Sequence, residues 1–217
     1  MANAGLIARG IEKKIIDIKI HNLYDFGIGA HKSIDDTPYG GGAGMVLRVD
    51  IMEKALSTLK LKVKTKKLKI ILLTPQGKKF NQKMAKRLSK QKKIVLISGR
   101  FEGYDERIRQ LADEEISIGD YILTSGDLPA MVLIDSISRQ IPGFIEKSAS
   151  ISEESFTDNL LEFPQYTRPY NFKNKKVPKI LLSGNHLNIA TWRKEKSIQR
   201  TQKRRSDLTD RQNDTII

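Results

Sequence analysis

The chain has 217 residues, 39% of them hydrophobic, and a formal net charge of +14 at pH 7. That size and apolar content suit one large domain, or a medium domain plus a small one, with a buried core, and exclude a wholly disordered chain. The absence of cysteine excludes disulfides, thiolate metal sites and a cysteine nucleophile, and fits a reducing compartment. No apolar run approaches the roughly 20 residues that span a bilayer, and the N-terminus lacks a basic-then-apolar secretion signal, so a soluble, cytoplasmic protein without membrane contact is expected. The positive charge suits a polyanionic partner, although "LKLKVKTKKLK" (59 to 69) reads equally well as lysine enrichment from a biased genome.

In chain order, the first unusual stretch is "PYGGGAG" (38 to 44), with glycine at 40, 41, 42 and 44. It is no P-loop, because no Gly-Lys-Ser/Thr follows, and it lacks the third glycine of a dinucleotide fingerprint. What remains is backbone that takes positive φ or approaches another chain or ligand closely, or a plain flexible loop. Residues 50 to 60 read as a helix. "KIILLTP" (69 to 75) and "KIVLISG" (93 to 99) are apolar runs ending at Pro or Gly, as buried strands do. Between them, residues 78 to 91 place Phe80, Met84, Ala85 and Leu88 at helical spacing. This βαβ unit implies a parallel sheet and a right-handed crossover. Residues 104 to 112 read as a helix, 121 to 124 as a strand, and 127 to 141 as a helix with Pro129 in its first turn. The polar stretch 144 to 155 suits a linker or lid, and the rest reads as mostly helical. In 185 to 205, seven Lys or Arg against one Glu follow Trp192, which makes this the strongest basic patch or else a solvated helical tail.

Further glycine clusters lie in "SGRFEGYDER" (98 to 107) and "SIGDYILTSGDLPAM" (117 to 131). They place Gly99, Gly103, Gly119 and Gly126 near strand ends, where open α/β sheets bind ligands. Arg100, Glu102, Asp105, Glu106 and Arg107 are candidate site residues; Asp105, Glu106 and Arg107 equally suit a salt-bridged helix start. His21, His31 and His186 have no metal-ligand spacing, and Ser98 sits in "ISGRF" rather than a nucleophile elbow.

Taken together, "DDTPYGGGAGMVL", "LLTPQGKKFNQ", "ISGRFEGYDERI", "EEISIGDYILTSGDLPAMVLIDSISRQIPG", "ESFTDNLLEFPQYTRP" and "VPKILLSGNHLNIATWRKEKSIQRTQKRR" resemble the bacterial tRNA (guanine-N1)-methyltransferases, knotted enzymes of the SPOUT class, over nearly the whole chain. The resemblance implies an α/β fold, a knotted open parallel sheet flanked by helices, in residues 1 to 143. A linker or lid (144 to 160) and a small, basic, mainly helical tRNA-binding domain (161 to 217) follow. It also implies methyl transfer from S-adenosyl-L-methionine to N1 of the guanosine 3′ to the anticodon, position 37 of tRNA, by a homodimer with its active site between subunits. Magnesium is a possible further requirement.

Carried over by position, Pro75, Gln76, Gly99, Ile118, Gly119, Asp120, Tyr121, Ile122, Leu123, Gly126 and Pro129 are implied to surround the cofactor. Phe101, where the family has tyrosine, Glu102 and Asp158 are implied cofactor or substrate neighbours. Arg139 corresponds to the cation that stabilises charge on guanine O6, and Glu154 to the family's aspartate that takes the N1 proton. Arg193, Lys194, Arg200, Lys203, Arg204 and Arg205 are implied to hold the tRNA backbone. Three departures stand out: Glu154 carries one extra methylene, Asn159 replaces a glycine, and the sequence starts at "MANAGLIARGIEKK", so the family's first strand is expected to be missing from it. An RNA-binding module of the same fold without transfer activity, and a knotted methyltransferase for another RNA position, are the alternatives.

Overall fold

The computed structural model describes residues 5–63, 68–100, 102–146 and 154–210. The chain divides into two compact units, Met1–Glu146 and Lys147–Ile217. No helix among the described residues is long and apolar enough to cross a membrane.

The first unit is an α/β structure built on the strand β3 (Lys69–Lys79). It is flanked in parallel by β4 (Ile94–Ile97) on one side and β6 (Glu114–Ser117) on the other. Ile70 to Leu73 are buried in succession, because both faces of the sheet are covered. Ile70 and Leu72 face a core with Ile51, Met52 and Leu56 of α2 (Val49–Val63). Ile71 and Leu73, one residue out of phase, join Leu88 of α3 (Gln82–Leu88) and Leu133 and Ile137 of α4 (Asp127–Ser138). α2 buries Ile51, Met52, Ala55, Leu56 and Leu59, the single stripe its periodicity supplies. α3 starts where Asn81 accepts a hydrogen bond from the Met84 amide at 3.0 Å.

A second, small sheet pairs β1 (Asp35–Asp36) antiparallel to β2 (Val46–Leu47), and β2 parallel to β5 (Gly103–Tyr104). The short helix α1 (Gly5–Glu12) packs Gly10 against the ring of Phe144, and Arg9 and Lys13 pair with Glu146.

The βαβ unit is present, with three corrections. The third strand is Glu114–Ser117; residues 121 to 124 form a loop, because Gly119 and the residues after it turn away from β6. Residues 106 to 111 are a 3-10 turn rather than an α-helix, capped by the Asp105 carboxylate. α3 is shorter than expected because β3 continues to Lys79 instead of stopping at Pro75.

That continuation is the main irregularity of the sheet. Leu73 and Lys78 both lie opposite Ile116, so Thr74 to Gly77 bulge out of the ladder before β3 rejoins it. Gly77 makes the return possible: a Cβ there would stand 2.4 Å from the Ile116 nitrogen and 2.5 Å from the Glu115 carbonyl carbon.

The second unit is described by itself. Its main element is α5 (His186–Arg204), started by Asn185 accepting from the Asn188 amide at 3.1 Å. The remainder is less helical than the sequence suggested: a hairpin of β7 (Asn171–Phe172) and β8 (Lys175–Lys176), a 3-10 turn Lys179–Leu182 and a short α6 (Asp207–Asp210).

Gly77→Ala tests the strand contact. Because the atoms a methyl would strike are backbone, unfolding free energy should fall by about 2 kcal/mol or more, read from denaturant midpoints; an unchanged midpoint would mean the contact is not needed.

Candidate functional site

Three segments meet at the carboxyl ends of the parallel strands: the β3 bulge, residues 98 to 100 and 102 to 104 after β4, and residues 117 to 127 after β6. The Gly126 amide donates to the Gly99 carbonyl at 2.8 Å, and a Cβ on Gly126 would lie 2.9 Å from the Gly99 nitrogen. Only glycine allows backbones that close. Gly99 lies over the ring of Tyr104, whose hydroxyl donates to the Leu73 carbonyl at 3.0 Å, tying the segment to the base of the bulge. Burial pushes the Tyr104 phenol up to about 12, so it stays a neutral donor across the physiological range.

Among the sequence-derived cofactor residues, Pro75 and Gln76 occupy the exposed bulge, where Thr74 Oγ1 accepts from the Gln76 amide at 3.4 Å. Gly119 is buried, with its amide donating to Ser117 Oγ at 3.2 Å, which starts the turn after β6. Ile118 accepts from the Tyr121 hydroxyl at 3.3 Å, and Asp120 pairs with Lys79 at 3.0 Å across the loop base. Tyr121 and Ile122 are exposed and Leu123 is half-buried. Pro129 lies in the first turn of α4, after Gly126, which caps without a side chain. The structure therefore brings these residues to one edge of one sheet. Phe101 lies outside the described residues.

Glu102 links this edge to the glycine-rich loop. Its amide donates to the Met45 carbonyl at 3.1 Å, and its side chain lies where a Cβ of Gly44 would sit. Gly40, Gly41, Gly42 and Gly44 all have positive φ, the backbone reason for their density. Asp105 and Arg107 pair with each other at 2.7 Å, the helix-start arrangement, and that pairing holds the Asp105 carboxyl below its ordinary range.

Sequence reasoning missed Asp127. It accepts from Ser98 Oγ at 2.7 Å and from Arg100 at 3.3 Å, while its amide donates to Ser125 Oγ at 3.0 Å. The available signal was an acid in the first turn of a helix with no side-chain cap. Its carboxyl is held below the ordinary range by Ser125 first, then by Ser98 and Arg100, against partial burial. Among the described residues no group of three His, Asp or Glu gathers as a metal site.

Arg139 is half-buried at the C-cap of α4 in the first unit. Glu154 and Asp158 belong to the second unit, in a tight segment where the Thr157 amide donates to the Glu154 carbonyl at 3.2 Å and the Glu162 amide to Ser155 Oγ at 3.0 Å. Asn159 has φ 58°. Its left-handed backbone suits glycine first and asparagine next, so replacing the family's glycine keeps the turn.

α5 carries the basic patch and also supports that segment. Thr201, fully buried, accepts from the Leu161 amide at 2.8 Å and donates to the Ser197 carbonyl at 2.8 Å, while Ser197 donates to the Leu161 carbonyl. Arg200 donates to the Glu162 carbonyl at 3.2 Å, Arg193 stacks on Phe163 at 4.6 Å, and Arg205 pairs with Asp207 at 2.7 Å. Three of the six candidate tRNA contacts thus have intramolecular work. Lys194, Lys203 and Arg204 are exposed.

A family model described as "tRNA (Guanine-1)-methyltransferase TrmD" matches residues 1–211. The chain is 49% identical over 214 residues to a Clostridioides difficile protein named tRNA (guanine-N(1)-)-methyltransferase, covering 96% of this chain and 91% of that one. Proteins of the same name from Lactobacillus johnsonii (49%, covering 94% and 82%) and Mycoplasmopsis synoviae (47%, covering 97% and 91%) are similarly related.

Two measurements follow from the geometry. Asp127 has a lowered folded pKa, so its contribution is present above its ordinary value of 3.8 and is lost as pH falls through the folded value; Asp127→Asn should therefore narrow the stability gap between neutral and strongly acid pH, and parallel pH–stability curves would refute this. Thr201→Val leaves the Leu161 amide unpaired and should cost about 1 to 3 kcal/mol, with faster hydrogen exchange at Leu161; unchanged exchange would show that another acceptor takes over.

Proposed function

The chain belongs to the tRNA (guanine-1)-methyltransferase family, whose members are tRNA-modifying transferases, and we propose that it methylates N1 of the guanosine 3′ to the anticodon, position 37. The observation that carries the reading is the convergence of three strand-end segments across the Gly99–Gly126 contact, which offers backbone groups and amides rather than a phosphate cradle. S-adenosylmethionine supplies an electrophilic methyl when bound, and such neutral donors and acceptors suit its adenosine. Gly99, Gly126, Pro75, Gln76, Pro129 and the segment Ile118 to Leu123 are the proposed contacts, with Glu102 beside them.

In the proposed mechanism Glu154 accepts the proton of guanine N1 as that nitrogen bonds to the methyl, and Arg139 holds the charge that builds on O6. Asp158 shapes the same segment or positions tRNA. Lys194, Lys203 and Arg204, with Arg193, Arg200 and Arg205 behind or beside them, neutralise tRNA phosphates.

The proposal includes a SPOUT-type trefoil knot in the first unit, a role for the second unit in tRNA binding, and a cytoplasmic homodimer. Exposed Tyr121, Ile122, Leu128 and Val132, running from the loop onto α4, support a surface covered by a second copy.

Calorimetric titration with S-adenosylmethionine, then methylation of anticodon stem-loops with and without the target guanosine, tests the reading. Saturable cofactor binding and guanosine-dependent transfer are expected, and absence of binding would favour an RNA-binding module. Glu154→Gln should lower turnover by about 100-fold or more with tRNA binding kept; if Asp158→Asn alone abolishes turnover, the two roles are reversed.

A further inference from the structure

Arg109 lies near the end of the 3-10 turn Glu106–Leu111, with only 21% of its side chain exposed, and its guanidinium joins three elements. Nε donates to Glu106 Oε2 at 2.9 Å, and one terminal nitrogen pairs with Glu115 on β6. The other donates to Gln76 Oε1 at 2.6 Å. Gln76 sits on the β3 bulge, beside the Gly77 contact with β6 and with its backbone N–H held by Thr74.

The chemistry of this contact is directional. A guanidinium only donates, so the Gln76 atom facing it must be the carbonyl oxygen; the amide nitrogen is the atom left to face elsewhere. The planar fork reaches two carboxylates and an amide at once, which a lysine ammonium on a flexible stem does not reproduce. Because two carboxylates share the one guanidinium, the cluster carries no net positive charge toward a cationic sulfonium ligand.

We propose that Arg109 is a positioning residue: it fixes the amide orientation of Gln76, so that the cofactor edge presents an N–H donor there and selects a hydrogen-bond acceptor of the bound methyl donor. This rests on the reading of Gln76 as a cofactor contact. Glu106 and Glu115 hold the guanidinium from the sides away from Gln76, and β6 therefore communicates with the bulge through a side chain as well as through the Gly77 backbone contact.

A double-mutant cycle on the full chain tests it, with S-adenosylmethionine titrated calorimetrically into Arg109→Met, Gln76→Ala and the double variant. Arg109→Met should raise the cofactor Kd roughly fivefold to tenfold and the cofactor KM with it, while kcat at saturation and the tRNA KM stay unchanged. The double variant should bind like Gln76→Ala alone. If Gln76→Ala weakens binding but Arg109→Met does not, or if the two losses add, the positioning role is overturned and the cofactor reading stands. If Gln76→Ala binds like the parent, both are overturned. Gln76→Glu covers the case in which Arg109→Met fails to fold: it keeps the pairing to Arg109 but replaces the donor with an acceptor, so Kd should rise while thermal stability holds, and unchanged binding refutes the proposal.

Discussion

The contact on which the first unit depends is the return of β3 to β6 at Gly77. A parallel strand that simply ended at Leu73 would leave the following residues to wander; here the ladder resumes at Lys78 opposite the same Ile116, and the intervening residues are held as a bulge of fixed ends. Hydrogen bonding on both sides of a bulge costs little when the backbones can touch, and the missing Cβ permits that touch. Everything at the strand-end edge is registered to this point. Tyr104 bonds to Leu73 at the base of the bulge, Gly99 lies on Tyr104, and Gly126 bonds to Gly99. The chain of contacts runs from the central strand outward, with a neutral group at each link.

The second unit solves a different problem. Its segment from 160 to 163 belongs to no helix or strand, and α5 supplies side-chain hydroxyls in place of a ladder. Ser197 and Thr201 lie four apart on one helical face, so a single stripe can satisfy both the carbonyl and the amide of Leu161. Arg200 and Arg193 extend the same stripe with a carbonyl bond and a ring contact. A helix that reads as a uniform basic rod in sequence is therefore two-sided in structure, with Arg193 and Arg200 on the supporting side and Lys194, Lys203 and Arg204 exposed.

Much of this was legible beforehand. Buried strands announce themselves when both faces are covered, and "KIILL" and "KIVLI" did so; helices were expected at 50 to 60 and at 127 to 141, where α2 and α4 lie, and α5 falls in the stretch that reads as mostly helical. What misled was composition at the strand ends. Pro75 read as a stop because proline cannot donate to a ladder, yet in a bulge it has no ladder bond to lose. "YILT" has β-forming residues but follows Gly119, whose bond to Ser117 has already turned the chain, while "EEIS", with two acidic residues, forms the strand. Glu114 is tolerated there because Lys69 and Arg87, both distant in sequence, meet it, and Glu115 because Arg109 on the neighbouring 3-10 turn does. The same distance hid Asp127 with Ser98 and Arg109 with Gln76. The resemblance named the edge residues; the side chains that hold them come from distant parts of the fold.

The glycines of the two regions answer to different selection rules. At Gly99 a side chain is refused by the Tyr104 ring, so the tolerance of that site would change if its neighbour shrank, whereas at Gly126 the backbone of Ser98 and Gly99 takes the room. At Gly40 and Gly41 nothing lies within 4 Å of where a Cβ would project, yet φ is +88° and +79°. There the objection is to handedness alone, and no repacking of the surroundings could remove it.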